Sequence, residues 1–206
     1  MRTCITGSSS PACSQRQGIT QTCPWNKKQP RLYGRGWFYA VFARSADADL
    51  FARIEATTFD DLRSDTDLLT DAVSASIRVK ADIVERDERE SGDRRKLNLG
   101  HTLAHAIEKA SNRMNHGEAV AVGTALIADA SVKLGVLTAE DRDRIAGVLK
   151  KLGFDLTPPV DVKRLLKEVG KDKKNEDGML RIVVPIGIGD CDVRRMSHDE
   201  FAALFA

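Results

Sequence analysis

The chain has 206 residues, of which 42% are hydrophobic, and this supplies a core for one domain or for two small ones. These proportions exclude a disordered tail and a disulfide-stapled mini-protein. The 32 lysines and arginines nearly balance the 30 aspartates and glutamates, so the net charge of +2 gives no electrostatic basis for binding nucleic acid or an anionic membrane. We therefore expect a small molecule or another protein as the partner.

Nothing in the sequence predicts a membrane segment or an export signal. The longest uncharged apolar stretch, residues 119–128, is shorter than the roughly 20 residues that cross a bilayer. Three cysteines, Cys4, Cys13 and Cys23, crowd the N-terminus and Cys191 stands apart, without the spacing of a zinc or disulfide framework. This usage favours a reducing, cytoplasmic setting.

The character of the sequence changes near residue 46. Residues 1–45 show neither a helical nor a strand period, and they hold both tryptophans and both tyrosines. From residue 46 onward, helical spacing repeats between recognisable caps. We predict an unassigned, irregular segment over 1–45 and a helical domain over 46–206.

The predicted domain is mainly α-helical. A long amphipathic helix is expected over 66–90, with an apolar stripe formed by Leu69, Val73, Ile77 and Val84. Further helices are predicted over about 98–112, 117–134, 139–152 and 161–169, the second of these as the central core helix. Two short strands flank a turn at 187–189, and Ser197 with Glu200 caps a last helix. The fold class is therefore a helical bundle with one small β-hairpin near the C-terminus.

Three of the four histidines, His101, His105 and His116, lie within sixteen residues. On a helix, Asn98, His101, His105 and Glu108 would project from one face, and a short connection could bring His116 back toward His101. Two imidazoles on neighbouring helices can supply two ligands of a metal site, although catalytic zinc usually takes three. The alternative is that each histidine is an ordinary surface or core residue bonded to backbone.

Other motifs exclude a zinc peptidase and a dinucleotide-binding loop, and they supply candidate anion-binding residues. The segment from His101 to His105 lacks the glutamate that a zinc peptidase places after its first histidine. The glycines at 187–189 follow a strand but open no helix, so they are not a dinucleotide fingerprint. Five basic side chains could bind a phosphate or carboxylate group: Lys80, Arg94, Lys96, Lys173 and Lys174. The alternative for each of them is an ordinary solvated surface residue.

The segment KADIVERDERESGDRRKLNLGHTLAHAIE, residues 80–108, followed by HGEAVAVG, residues 116–123, closely resembles the C-terminal domain of 3-dehydroquinate synthase. The resemblance continues through SVKLGVL and the DKK loop to LRIVVPIGIGD, and covers roughly residues 46–206. It implies a cytoplasmic shikimate-pathway enzyme that closes the sugar phosphate DAHP into 3-dehydroquinate. The implied cofactors are NAD, as a recycled oxidant, and a divalent metal, zinc or cobalt.

The resemblance also implies roles for individual residues. His101 and His116 match two metal ligands, and His105 and Asn98 match groups beside the substrate phosphate, with His105 and Lys80 counted as catalytic. Lys80 and Arg94 match residues that hold the substrate hydroxyls and carboxylate, and Lys173 or Lys174 matches a further anion contact. The implied reaction passes through oxidation of a ring hydroxyl, elimination of phosphate, re-reduction, ring opening and aldol closure.

The sequence departs from the family upstream of residue 46. Alignment of the ADADLF segment, residues 46–51, places Phe38 where the family has its third metal ligand, a glutamate, and Val41 where it has a catalytic lysine. Residues 1–45 could not build the NAD-binding domain. We therefore expect a truncated or frameshifted gene whose product is incomplete for turnover.

Three functional alternatives remain open at this stage. One is a sibling sugar-phosphate cyclase, and another is a glycerol-dehydrogenase-like enzyme that shares the helical domain. The third is a non-catalytic helical module that binds a metal or forms a homodimer.

Overall fold

The computed structural model describes residues 48–87, 92–171 and 178–206, all within one compact unit that spans Leu32–Ala206. The segment predicted as irregular over 1–45 and the charged-loop residues 172–177 lie outside the described residues. Within the described ranges, no helix combines the length and the apolar character needed to span a membrane.

Helices dominate the described part of the chain. They are α1 (Ala48–Glu55), α2 (Phe59–Ser64), α3 (Thr66–Arg86), a 3₁₀ helix (Asp93–Asn98), α4 (His101–Ala110), α5 (His116–Lys133), α6 (Ala139–Lys151), α7 (Val162–Gly170) and α8 (His198–Ala203). The strands β1 (Met179–Gly187) and β2 (Asp190–Ser197) pair antiparallel as a hairpin between α7 and α8. The predicted fold class is confirmed.

Local side-chain chemistry sets the helix boundaries. Asn115 accepts a hydrogen bond from the backbone N–H of Glu118, whose carboxylate accepts one from the Asn115 N–H, and this capping box starts α5. Thr138 caps α6, because its hydroxyl accepts a hydrogen bond from the Asp141 N–H. After α5 the chain turns at Gly135, whose φ of 71° lies in the left-handed region that favours glycine.

Helix α5 lies at the centre of the domain, as the sequence predicts. Its residues contribute to two clusters of buried apolar side chains. One cluster joins α5 to α4, α7, α8 and the hairpin, and includes Leu103, Ile107 and Phe201. The other joins α5 to α1, α3 and α6 and includes Leu149. A helix apolar on most of its circumference can fill both clusters at once.

The apolar stripe predicted for α3 does not mark its buried face. Leu69 and Ile77 are 36% and 61% exposed, whereas Ala72, Ala75, Ser76 and Ile83 are buried. The helix therefore turns a row of mostly small side chains inward. Val73 and Val84 of the predicted stripe are half-buried, so the stripe lies beside the buried face. Hydrophobic periodicity gives large residues the most weight and misses this offset. The helix predicted over 66–90 ends at Arg86.

The helix predicted from about Asn98 begins three residues later. Asn98 ends the 3₁₀ helix, and Gly100, with φ of 77°, separates it from α4. Asn98 therefore does not share the helical face of His101 and His105. The N-terminal boundary was wrong because the left-handed conformation at Gly100 interrupts the helical path.

Candidate metal and substrate site

Two glycines bring α4 close to α5. A Cβ atom on Gly123 would lie 2.3 Å from the carbonyl oxygen of Gly100, and one on Gly100 would lie 2.5 Å from the Thr124 hydroxyl. No side chain fits between the two backbones at this point. The start of α4, which carries His101, is therefore held directly against the middle of α5.

The structure brings His101, His105 and His116 together. The ring centroid of His101 lies 5.9 Å from that of His105 and 5.7 Å from that of His116, and the remaining pair is 6.1 Å apart. His101 and His105 come from adjacent turns of α4, and His116 is the first residue of α5. The predicted return of His116 toward His101 is thus observed.

His101 is buried with only 7% of its surface exposed. Its Nδ1 donates a hydrogen bond to the carbonyl oxygen of Leu99 at 3.1 Å, which places the proton on Nδ1 and the lone pair on Nε2. Burial is the main cause that lowers the pKa of His101 to about 4, and the nearby His116 and His105 lower it further. At neutral pH His101 is therefore a neutral imidazole, which is the form that binds metals.

His116 is oriented by a carboxylate. Its Nδ1 lies 2.9 Å from Oε1 of Glu108, near the end of α4. A carboxylate can only accept, so Nδ1 carries the proton and Nε2 is again left as the ligand atom. The His116 side chain is 45% exposed, in contrast to the buried His101. The pair therefore offers one inner and one outer nitrogen ligand.

The donor set fits two positions of a divalent metal site. Both imidazoles have Nδ1 engaged by an oxygen acceptor, which is the usual arrangement of metal-binding histidines. As the side chains stand, the described ranges contain no group of three or more histidine, cysteine, aspartate or glutamate residues that could hold a metal ion. Phe38, the position matched to the family's third ligand, lies outside the described residues.

The predicted anion-binding residues lie on different elements. Lys80 is exposed on α3, and α3 packs against the 3₁₀ helix that carries half-buried Arg94 and exposed Asn98. The Arg94 backbone N–H donates to Asp87 Oδ2 at 3.0 Å, which fixes the start of the 3₁₀ helix to the end of α3. Lys173 and Lys174 lie outside the described residues.

Sequence reasoning missed two features that orient the histidines. It noted Glu108 on the polar face of the helix but gave it no role, and it did not anticipate the Leu99 carbonyl as a partner for His101. The separation of seven residues between His101 and Glu108 indicates a shared helical face. The backbone acceptor leaves no comparable pattern in the sequence.

Comparison with known proteins decides the family. The model of the 3-dehydroquinate synthase C-terminal domain matches residues 40–175. The chain belongs to the 3-dehydroquinate synthase family. The 3-dehydroquinate synthase of Nitrosospira multiformis is 44% identical over 135 residues, which cover 64% of this chain and 37% of the relative. The 3-dehydroquinate synthase of Cereibacter sphaeroides (strain ATCC 17029) is 39% identical over 186 residues, which cover 85% of this chain and 49% of the relative. The chain therefore spans less than half the length of these curated synthases.

Solved structures support the same fold at lower identity. A 2-epi-5-epi-valiolone synthase from Streptomyces hygroscopicus, with NAD⁺ and Zn²⁺ bound, superposes with a TM-score of 0.70 at 22% identity, over 83% of this chain and 49% of its own. A 2-deoxy-scyllo-inosose synthase complexed with carbaglucose-6-phosphate, NAD⁺ and Co²⁺ superposes with a TM-score of 0.59 at 22% identity. The match covers 68% of this chain and 40% of that synthase. The resemblance to the synthase family, expected over roughly residues 46–206, is confirmed by the family model over residues 40–175 and by the curated synthases.

Proposed function

We propose that this chain carries the metal-binding and substrate-binding part of a 3-dehydroquinate synthase, a carbon–oxygen lyase that converts DAHP to 3-dehydroquinate with loss of phosphate. The observation that carries the proposal is the convergence of three histidine rings in which His101 and His116 each keep Nε2 as a ligand atom. The identity of 39–44% to curated synthases favours this reaction over that of a sibling cyclase.

In this proposal His101 and His116 hold the metal, and the neighbours with Zn²⁺ or Co²⁺ bound suggest which ions to test. A divalent metal at this place would polarise the substrate hydroxyl that is oxidised. The buried, neutral His101 supplies a ligand that does not need to lose a proton at physiological pH. The third ligand is proposed to come from outside the described residues.

We assign the remaining residues to the substrate, which carries a phosphate and a carboxylate. His105 and Asn98 would lie beside the phosphate, and Lys80 and Arg94 would hold the hydroxyls and the carboxylate. Lys173 or Lys174 would add a further cation. Arg94 and Asn98 share the 3₁₀ helix that precedes His101 in the chain, so one short segment would orient the substrate relative to the metal.

The scope of the proposal follows from the length of the chain. We propose residues 46–206 as the catalytic C-terminal domain, and we assign no described residue to NAD. Turnover with NAD is proposed to need the part of the synthases that this chain does not match, so activity of this chain alone is not expected. A cytoplasmic setting and a homodimer belong to the same proposal.

Calorimetric titration of DAHP into the zinc-loaded chain tests the proposal. We expect saturable binding that Arg94→Ala and His105→Ala weaken at least tenfold, with little change for Lys150→Ala, a control at an exposed position of α6. Glucose 6-phosphate should bind more weakly because it lacks the carboxylate. Equal binding of both sugars would favour a sibling cyclase instead. If the zinc-loaded chain binds neither, the substrate assignment is wrong.

A further inference from the structure

Glu108 is the side chain that couples the end of α4 to the start of α5. It follows His101 by seven residues, which is about two helical turns, so both lie on the same face of α4. The five-residue connection 111–115 then reverses the chain, and the Asn115–Glu118 capping box fixes the first turn of α5. This places the His116 ring against the Glu108 carboxylate, with Nδ1 and Oε1 2.9 Å apart.

We propose that Glu108 is a positioning residue, which holds His116 in the tautomer and orientation that bind the metal; this inference rests on the proposed function. Its carboxylate accepts the Nδ1 proton and so keeps the lone pair on Nε2. The negative charge also makes the ring a stronger electron-pair donor. Glu108 itself does not bind the metal in this arrangement.

His116 needs such a partner more than His101 does. His101 is buried, and its Nδ1 is held by the backbone carbonyl of Leu99, which no side-chain substitution removes. The His116 side chain is 45% exposed, so burial alone does not fix the ring. Without an acceptor at Nδ1, the ring could turn or carry its proton on Nε2, and either change would remove the ligand atom.

The first readout needs no metal. Nitrogen-15 NMR of the histidine side chains in the metal-free chain should show the His116 proton on Nδ1 in the intact protein. Glu108→Ala should leave His116 as a mixture of tautomers, and Glu108→Gln, which keeps an acceptor oxygen, should retain the Nδ1 tautomer. The matched control is Glu85→Ala, on α3, which removes an exposed carboxylate that has no hydrogen bond or ion pair within the described residues.

The second readout is zinc affinity, measured by competition with a chromophoric chelator. Loss of an outer partner of a metal ligand typically weakens binding by about 10- to 100-fold, and we expect this range for Glu108→Ala. Glu108→Gln should recover most of the affinity, Glu85→Ala should bind like the intact chain, and His116→Ala should lose more than any of them. Far-ultraviolet circular dichroism of each variant checks that α4 and α5 stay folded.

Three results would overturn the inference. If Glu108→Ala changes zinc affinity by less than twofold, the carboxylate does not position His116. If Glu108→Gln loses as much affinity as Glu108→Ala while the His116 tautomer stays unchanged, Glu108 binds the metal itself. If the intact chain binds no zinc, the proposed function fails together with this inference, whereas the first two results leave the proposed function standing.

Discussion

Gly123 lets α4 approach α5 closely because it has no side chain, and this close approach positions His101. A Cβ atom there would lie 2.3 Å from the Gly100 carbonyl oxygen, which belongs to backbone and cannot rotate away. Gly123→Ala must therefore push α4 away from α5, and we expect a loss of about 1–3 kcal/mol in the free energy of unfolding. His101 moves with α4, so zinc affinity should fall as well. Urea unfolding and chelator competition measure the two effects.

The matched control for Gly123→Ala is Gly147→Ala in α6. A Cβ atom on Gly147 meets nothing within 4 Å, and the residue lies inside a helix. Alanine there should raise the free energy of unfolding by about 0.5–1 kcal/mol because glycine is the poorer helix former. If both variants change stability alike, close approach at Gly123 is not what the residue provides.

At this scale the sequence predicts the site only in part. The clustering of His101, His105 and His116 is visible in their spacing, and the structure brings their ring centroids to between 5.7 and 6.1 Å of each other. The hydrogen bond from His101 to the Leu99 carbonyl depends on the left-handed turn at Gly100. A backbone acceptor of this kind is set by conformation and not by residue type, so the sequence carries no signal for it.

Between helices, Arg144 is the main polar link from α6 to α1. Its Nε and Nη2 donate to the two carboxylate oxygens of Glu55 at 2.9 and 2.8 Å, and its guanidinium lies 5.4 Å from the Phe51 ring centroid. Both partners are about one-third exposed, so solvent weakens the pair. We expect Arg144→Met to lower the free energy of unfolding by about 1 kcal/mol, measured in urea. Arg53→Met is the control, because its contact with Asp71 is longer and more exposed.

The same ion pair predicts a pH dependence. The hydrogen bond from Arg144 is the first cause that holds the pKa of Glu55 below its ordinary value of 4.5. The ion pair therefore contributes its full stabilisation above pH 4.5. This stabilisation is lost as the pH falls through the lower pKa that Glu55 has in the folded state. The difference in stability between the intact chain and Arg144→Met should be present at pH 7 and shrink as the pH falls below 4.5. A difference that stays constant would show that Glu55 is not the titrating partner.

Most helices could be predicted because their N-terminal capping residues can be recognised in the sequence. Thr138 before α6 and Ser197 with Glu200 before α8 act as expected. The burial of α3 could not be predicted from its stripe, because Ala72, Ala75 and Ser76 let neighbouring helices approach closely and so turn Leu69 and Ile77 outward. Helices α1 and α2, of eight and six residues, were not predicted individually from the sequence.

At the level of the whole molecule, α3 carries two of the four large hydrophobic side chains that are exposed among the described residues. Leu69 and Ile77 project into solvent two turns apart on the same helix. Clustered exposed apolar side chains promote association. We expect the chain to self-associate or to dissolve poorly, and Leu69→Lys with Ile77→Lys should shift it toward monomer in sedimentation velocity runs.

Thr70→Lys provides the comparison for these variants, because it adds one lysine to the same helix at an exposed position beside the stripe. It should leave self-association unchanged. A monodisperse monomer in light scattering of the intact chain would refute the expectation directly.

His101 and His116 are proposed to supply two ligands of a divalent metal site. Calorimetric titration of zinc into the purified metal-free chain, repeated on His101→Ala and with NAD added, tests this proposal most directly. We expect submicromolar binding in the intact chain, a loss of that binding in His101→Ala, and no dependence on NAD. Absence of zinc binding in the intact chain, or equal binding in His101→Ala, would contradict it.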